Sequence, residues 1–312
     1  MFELLLLRKK KSTQSSGPYT LIGGLNFADV NESKKTYKYF YVDDVFSTGT
    51  SLKTKRWVCM ATGNLSVGIF AGGYGTNSKE YLSSTEKYQY DNNTTIASFN
   101  LSTGRSYGAG ISDNLNAVFF KGEEYDGVNG WPRGTVERYT YSTNSKITNS
   151  YITHRAQHCS ANNDTLGINA GGTYGTGQYP SSTTTELYRF SNNVLSMGAN
   201  LLAKRDIGAA VGNIAFCIIA GGSTYNSASA EKYTFSNNAI ASTTSLTKKR
   251  AGCSGSGNSE FGLFVGGGGQ TGSSNSIDRY TYATDTCLST STLMTVALAW
   301  QSATSSSPGW AA

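Results

Sequence analysis

The chain has 312 residues, of which 38% are hydrophobic and only 15% are charged, and it contains 36 Gly, 20 Tyr and 13 Phe. So many large aromatic side chains exclude a disordered chain, and the Gly-rich polar remainder suits short strands joined by turns. The formal net charge of +6 is spread along the sequence apart from one basic cluster, and a diffuse excess of this size does not favour a nucleic-acid-binding protein.

The first 18 residues combine an apolar run with that basic cluster. The residues concerned are Phe2, Leu4, Leu5, Leu6, Leu7, Arg8, Lys9 and Lys10. A secretory signal places its positive charge before a longer apolar run, and a membrane span needs about 20 apolar residues, so neither is expected. Because a short tail cannot bury four Leu alone, we expect residues 1–18 to dock onto another protein subunit as an added strand or short helix.

The rest of the chain is built from a repeat in which an acidic residue stands two positions before a Tyr and four before a second aromatic residue. Five copies begin at Glu86, Glu137, Glu186, Glu231 and Asp278, and an eroded sixth copy is Lys35-Thr-Tyr37-Lys-Tyr39. The first Tyr recurs at intervals of 45 to 51 residues, and a period of that length is typical of propellers and solenoids.

Residues 205–250 show the plan of one unit, with four predicted strands that we call a, b, c and d. Strand a follows Arg205, and strand b (215–220) is apolar on both faces, as expected of a strand covered on both sides. Strand b ends in Gly221-Gly222, strand c (231–235) alternates, and an Asn-rich turn leads to strand d (239–246). The Gly pair recurs at 23, 72, 171 and 266 and weakens to Gly122-Glu123 in the third unit.

An apolar strand that ends in Gly-Gly, a variable loop and an acid-x-Tyr strand together resemble the kelch repeat. The resemblance covers residues 19–304, although strand d lacks the Trp that is common in kelch units. It implies an all-β protein: a six-bladed kelch-like β-propeller with four-stranded blades around a central channel. The predicted organisation is thus a docking tail (1–18), the propeller (19–304) and a C-terminal tail (305–312).

The first unit begins at strand b and lacks a strand a. A segment of strand length, 293–304, follows the last unit and has no Gly pair after it. We therefore expect residues 297–304 to supply strand a of the first blade beside residues 19–24, which would remove two sheet edges and close the ring.

Each predicted strand a begins at an Arg, and two readings of this circle of cations are open. Five guanidinium groups around one mouth would suit a phosphate, a carboxylate or an acidic peptide. The favoured reading is a structural ion pair in each blade, because the blade without the Arg is also the blade without the acid. The predicted pairs are Arg56–Glu86, Arg105–Glu137, Arg155–Glu186, Arg205–Glu231 and Arg250–Asp278.

The sequence offers little for catalysis. The two histidines, His154 and His158, would lie about 13 Å apart on a strand, too far to share a metal ion, and the five Cys are far apart without a CxxC. No Gly-x-Ser-x-Gly elbow surrounds a candidate nucleophile. We expect a protein without enzymatic activity, metal or cofactor, and we read the Cys as buried small side chains.

Two non-enzymatic functions remain. The Gly-, Asn-, Thr- and Tyr-rich style resembles propellers of bacteriophage virions, which implies a structural protein of the tail that is made in the host cytoplasm and bound to other subunits. The alternative is recognition of a cell-surface glycan or receptor by aromatic residues in the loops after strand b. The candidates for that role are Tyr74, Tyr125, Trp131, Tyr174, Tyr179 and Tyr225.

Overall fold

The computed structural model describes residues 17–25, 32–76, 80–125, 130–174, 180–222, 227–269, 272–290 and 301–305, together with positions 294, 297, 308 and 309. These residues form six antiparallel four-stranded blades, with one short 3-10 helix (Glu32–Lys34). Apolar strands with two buried faces alternate with half-buried ones, and such sheets are stable only when they stack on one another.

The first three blades, each given from its inner to its outer strand, have the following bounds. Blade 1 consists of β28 (Ser302–Ser305), β1 (Tyr19–Gly23), β2 (Thr36–Phe40) and β3 (Val45–Gly49). Blade 2 consists of β4 (Met60–Gly63), β5 (Val67–Ala71), β6 (Ser84–Gln89) and β7 (Thr94–Asn100). Blade 3 consists of β9 (Ala109–Ser112), β10 (Asn116–Tyr125), β11 (Gly130–Thr140) and β12 (Ser145–Ala156).

The other three blades follow the same order. Blade 4 consists of β13 (Cys159–Asn162), β14 (Leu166–Ala170), β16 (Thr185–Arg189) and β17 (Val194–Met197). Blade 5 consists of β18 (Ala209–Gly212), β19 (Phe216–Ala220), β20 (Ala230–Thr234) and β21 (Ala239–Thr243). Blade 6 consists of β22 (Ser254–Gly257), β23 (Phe261–Val265), β26 (Ile277–Thr281) and β27 (Thr286–Ser289). A separate two-stranded ribbon joins β24 (Gly268–Gly269) and β25 (Gly272–Ser273).

The ring closes through the C-terminal strand, as the sequence predicts. Strand β28 pairs antiparallel with β1, with Leu21 opposite Thr304 and Gly23 opposite Ser302. The pairing covers Ser302–Ser305, a length of four residues that the inner strands of blades 2 and 4 also have. Of the predicted range 297–304, residues 298–300 lie outside the described residues. Hydrophobic clusters fill all six interfaces between successive blades, and the cluster between blades 6 and 1 joins Leu263 to Ile22.

The topology gives the propeller two different ends. The loops between strands b and c and the links between strands d and a lie at one end, which we call the loop face. The tight turns between a and b and between c and d lie at the other end, which we call the turn face. Five of the a–b turns share one device, in which an Asn or Asp side chain accepts backbone N–H groups two and three residues ahead, as Asn213 does from Ala215 and Phe216.

Blade 3 departs from the others on the loop face. Its strands β10, β11 and β12 run on past the blade, with a register shift after Phe120, and form an extension sheet. The short strand β8 (Arg105–Ser106) joins one edge of this extension and β15 (Thr173–Tyr174) joins the other. The extension therefore connects the link that enters blade 3 with the b–c loop of blade 4.

Candidate functional site

The strand-a arginines are buried in the body of the blades. Arg56 is fully buried, and its Nη2 lies 2.9 Å from Glu86 Oε1. Glu86 also accepts the backbone N–H of Lys53 at 2.6 Å, so the carboxylate ties its blade to the preceding link. The structure brings together Arg105 and Glu137 in the same way, and also Arg205 and Glu231 (3.1 Å) and Arg250 and Asp278 (3.1 Å). Buried guanidinium groups that are already paired do not form an open ring for a phosphate, and this geometry favours the structural reading.

The fifth predicted pair is not formed as expected. Glu186 accepts from Lys121 Nζ at 2.6 Å, whereas Arg155 donates through Nη1 to the carbonyl oxygens of Thr184 and Asn169. The cause is a substitution in blade 3. Lys121 and Gly122 have φ angles of +46° and +107° and occupy the place of the usual Gly pair, which in blade 2 is Gly72 (+63°) and Gly73 (+92°). The weakened pair is therefore Lys121-Gly122 and not Gly122-Glu123, and the Lys side chain enters the neighbouring blade.

A second ring of contacts, which joins Tyr hydroxyls to Asn and Asp side chains, was not predicted from the sequence. In every blade the strand-c Tyr donates to an Asn or Asp five residues later, as Tyr188 does to Asn193 at 2.7 Å and Tyr280 to Asp285 at 2.8 Å. The accepting residues have left-handed φ angles, which Asn and Asp tolerate. The signal was present in the sequence as a constant spacing of five in six units.

This ring also corrects the first unit. Tyr39 makes the contact, to Asp44, so Tyr39 and not Tyr37 is the equivalent of Tyr88. The eroded copy is thus Tyr37-Lys-Tyr39-Phe-Tyr41, with Tyr37 at the position of the acid. The basic residue before the Tyr reaches the next blade in several units, and Arg279 reaches Asp44 at 3.1 Å, which joins blade 6 to blade 1.

An aromatic cluster occupies the loop face between blades 2 and 3. Tyr74 is buried at its centre, with ring centroids 4.6 Å from Trp57, 4.8 Å from Tyr81 and 5.9 Å from Tyr107. The Tyr74 hydroxyl donates to the carboxylate of Glu123 at 3.5 Å. Of the predicted glycan contacts, Tyr74 is therefore packed inside the site, and half-buried Trp57, Tyr81 and Tyr107 present its outer surface.

Glu123 is the acid that this cluster encloses. Burial raises the pKa of Glu123 from 4.5 to about 7, and the hydroxyls of Tyr74 and Tyr81 oppose the rise by donating to its carboxylate. A carboxyl group with such a pKa inside an aromatic cluster marks a candidate binding site.

We expect Glu123→Gln to change how stability depends on pH. The neutral acid is favoured in the folded chain, so its contribution is complete below pH 4.5 and is lost as the pH rises through about 7. The variant should be less sensitive to a rise from pH 5 to pH 8 than the natural chain, by about 3 kcal/mol of unfolding free energy. Denaturant titration of both proteins at the two pH values measures the difference. An equal change of the unfolding free energy with pH in the two proteins would contradict a raised pKa of Glu123.

The remaining predicted glycan residues have different fates. Tyr174 lies in β15 on the loop face and is 50% exposed. Tyr125 and Trp131 lie in strands β10 and β11 of the extension sheet. Tyr179 and Tyr225 lie outside the described residues. The predicted docking residues Phe2, Leu4, Leu5, Leu6, Leu7, Arg8, Lys9 and Lys10 also lie outside them, so docking by the tail stays a prediction.

On the loop face the central channel is bordered by a series of backbone hydrogen bonds that runs from blade 2 to blade 6 among the described residues. Tyr107 N donates to Val58 O, Gln157 N to Tyr107 O at 2.8 Å, Ile207 N to Gln157 O at 2.7 Å, and Gly252 N to Ile207 O at 2.8 Å. We call these five residues the mouth ring. All five have φ angles between +51° and +61°, which is a strained conformation for the β-branched Val58 and Ile207. Such strain is retained where the surroundings fix it, and it concentrates at functional sites.

The mouth ring encloses a cavity of about 90 Å³. The cavity is bordered by Tyr107 of the aromatic cluster and, deeper in the channel wall, by His158. Burial, together with the nearby cations Arg155 and Lys121, holds the pKa of His158 well below its usual value. The imidazole is thus neutral, and the mouth offers a small opening of mixed polar and apolar lining beside aromatic surface.

The described residues give no sign of a metal centre or of a bilayer-spanning helix. No three His, Cys, Asp or Glu side chains among them come together in an arrangement that suits a metal ion. Across the same residues no helix has the length and apolar character that crossing a bilayer requires. All five Cys are buried and unpaired, in agreement with the prediction from their spacing.

Comparison with known proteins identifies the architecture. No family model and no curated protein sequence matches the chain. A solved structure described as "Structure of YjhT" superimposes with a TM-score of 0.66 at 13% sequence identity, covering 78% of this chain and 86% of that one. The chain is a six-bladed β-propeller. At this identity the likeness concerns the fold alone, and function has to be argued from the residues of this chain.

Proposed function

We propose that the chain is a non-enzymatic recognition protein whose loop face binds a glycan. The observation that carries the proposal is the aromatic cluster around Tyr74 and Glu123 beside the strained mouth ring. Half-buried aromatic rings next to an opening that Gln157 and His158 help to line suit sugars, because a sugar presents an apolar ring face for stacking and hydroxyl groups for hydrogen bonds.

The extension sheet of blade 3 supports the same face. In this sheet β10, β11 and β12 continue beyond the blade on the loop face, and Tyr125 and Trp131 lie in it. Strand β12 pairs there with β15, which contains the exposed Tyr174. The turn face has no comparable elaboration among the described residues, since its a–b and c–d connections are tight turns. An elaborated face on a rigid scaffold is where binding residues usually lie.

A kelch-like ancestry and a place in a bacteriophage virion remain part of this proposal. Both rest on the sequence patterns described above. A virion tail component that recognises a cell-surface glycan would join the two functions that the sequence left open, because the propeller would bind the glycan and residues 1–18 would bind the assembly.

A glycan array tests the proposal with two variants. Tyr107→Asn removes an aromatic ring at the mouth but keeps a residue that tolerates the left-handed backbone. Tyr174→Ala removes the exposed ring of β15. Each is expected to weaken glycan binding about tenfold, the effect of roughly 1.4 kcal/mol.

The matched control is Leu115→Ala, because Leu115 is 65% exposed in an a–b turn of the turn face. We expect it to bind like the natural chain. The absence of any bound glycan, or equal losses from Leu115→Ala and Tyr174→Ala, would contradict the proposal.

A further inference from the structure

The fold sorts charges that are interspersed along the sequence. Links between blades and b–c loops meet on the loop face, whereas the turns within blades meet on the turn face, so residues far apart in sequence become neighbours. The basic residues that precede the strand-a arginines all come to the loop face, because the backbone of the adjoining Arg joins the b–c loop there, as Arg205 N does with Ser182 O at 3.0 Å.

Among the side chains that the structure describes, lysines dominate the accessible charges of the loop face. They lie at the junctions of blades 1 and 2, 4 and 5, and 5 and 6, and all are half-buried or exposed. The residues are Lys34, Lys35, Lys53, Lys55, Lys204, Lys248 and Lys249. Among the side chains that the structure describes, the exposed carboxylate on this face is Glu80, whereas Glu123 and Asp206 are buried and Glu124 lies near Arg105.

The turn face holds most of the accessible acids. They are Asp43, Asp44, Asp91, Asp113, Asp164, Glu260 and Asp285. The strand-c cations that precede the repeated Tyr approach this face and are used between blades, whereas Arg189 of blade 4 is exposed. Lys87 donates to Asn144 at 2.7 Å, and Lys232 and Arg279 pair with Asp285 and Asp44. Among the side chains that the structure describes, the accessible positive charge is therefore concentrated on the loop face.

We propose that the loop face binds a polyanion and, resting on the proposed function, that its glycan is an anionic polysaccharide bearing carboxylate, sulfate or phosphate groups. Lysines spread over three blade junctions around one mouth suit an extended chain with repeated charges better than a single small anion. The aromatic cluster and Tyr174 lie on the same face and supply stacking surface for the sugar rings.

The side chains favour a glycan over a nucleic acid that is recognised by its sequence. Reading of base edges relies above all on exposed Arg forks, whereas Lys and Arg both neutralise backbone phosphates. Among the side chains that the structure describes, the cations accessible on the loop face are lysines, and the five strand-a arginines are buried in the blades. Lysines act as point charges, which match sulfate or carboxylate groups without reading a base.

The test measures the binding of dextran sulfate, with neutral dextran of equal length and duplex DNA of equal charge as comparisons. Lys204→Ser removes one loop-face charge, and Arg189→Ser removes one exposed charge from strand c of blade 4, next to the turn face. At low salt we expect Lys204→Ser to weaken dextran sulfate binding several-fold, and a triple variant with Lys53→Ser and Lys248→Ser added to weaken it by about tenfold or more. The triple variant should also show a weaker salt dependence, and Arg189→Ser should bind like the natural chain.

Several results would overturn the inference. They are equal losses from Lys204→Ser and Arg189→Ser, neutral dextran bound as tightly as dextran sulfate, or duplex DNA bound more tightly than either. The two proposals fail separately. Neutral glycans bound in a Tyr107- and Tyr174-dependent manner would keep the proposed function and reject the charged ligand. Lysine-dependent binding of dextran sulfate that is indifferent to both aromatic variants would keep the polyanion site and reject aromatic glycan recognition.

Discussion

Replacing Arg250 with alanine is expected to lower the free energy of unfolding by about 3 to 5 kcal/mol. The guanidinium is fully buried, pairs with Asp278 at 3.1 Å and donates to the carbonyl oxygens of Gly266 and Ser276. Its removal leaves a buried carboxylate without its main counter-charge and two carbonyl groups without their donor. Denaturant unfolding of the purified variant measures the loss.

Arg155→Ala is the matched control, because Glu186, the acid predicted to pair with Arg155, contacts a second cation. Lys121 Nζ lies 2.6 Å from Glu186, so the carboxylate keeps a counter-charge when Arg155 is removed. We expect a clearly smaller loss of stability than for Arg250→Ala. Equal losses of stability in the two variants would show that Lys121 does not compensate for Arg155. No loss in Arg250→Ala would reject the structural role of the strand-a arginines.

Deleting residues 301–312 is expected to abolish the cooperative unfolding transition of the propeller. The deletion removes β28, exposes the ladder of β1 and opens the hydrophobic cluster between blades 6 and 1. A ring that opens at one interface also exposes two sheet edges, which favours association between chains. Thermal unfolding followed by circular dichroism, with light scattering to detect association, measures both effects.

The control for this deletion removes only residues 310–312 and leaves β28 in place. It should unfold like the full chain. A chain without residues 301–312 that melts cooperatively at an unchanged temperature would contradict closure by β28.

A disulfide introduced by Leu21→Cys and Thr304→Cys, positions that are paired in the ladder, tests the same closure. The oxidised double variant should unfold at a higher temperature than its reduced form.

The architecture could be predicted from the sequence because its determinants are local and repeated. The acid-x-Tyr pattern fixes strand c, and the Gly pair fixes the end of strand b through the left-handed angles of residues such as Gly72 and Gly73. Six copies of this pattern gave the number of blades. The pairing of Arg56 with Glu86 could be predicted because both charges recur at constant positions in five blades.

The exceptions could not be predicted, because each depends on contacts between units. In blade 1 the register is set by Tyr39 and Asp44, whereas the eroded pattern alone favoured Tyr37 as the repeated Tyr. In blade 3 the long side chain of Lys121 enters blade 4 from a position that normally requires Gly, and it takes the partner expected for Arg155. A single-unit pattern contains no information about the neighbouring unit.

The candidate site was visible only in part from the sequence. Tyr74 and Tyr174 were recognised as loop aromatics, but their different burial follows from the packing of Trp57, Tyr81 and Tyr107 around Tyr74. The segregation of charge was hidden for a similar reason. Lysines and acids are interspersed along the chain. Only the folded propeller places the links, which carry the lysines, at one end and the turns, which carry the acids, at the other.

Hydrogen exchange in the presence and absence of dextran sulfate tests most directly whether the loop face is the binding face. We predict slower exchange in the presence of the polymer at the links that carry Lys53, Lys204 and Lys248 and at the mouth-ring residues Tyr107 and Gln157, with unchanged exchange at the a–b turns of the turn face. Slower exchange at those turns, or uniform exchange over both faces, would contradict the account.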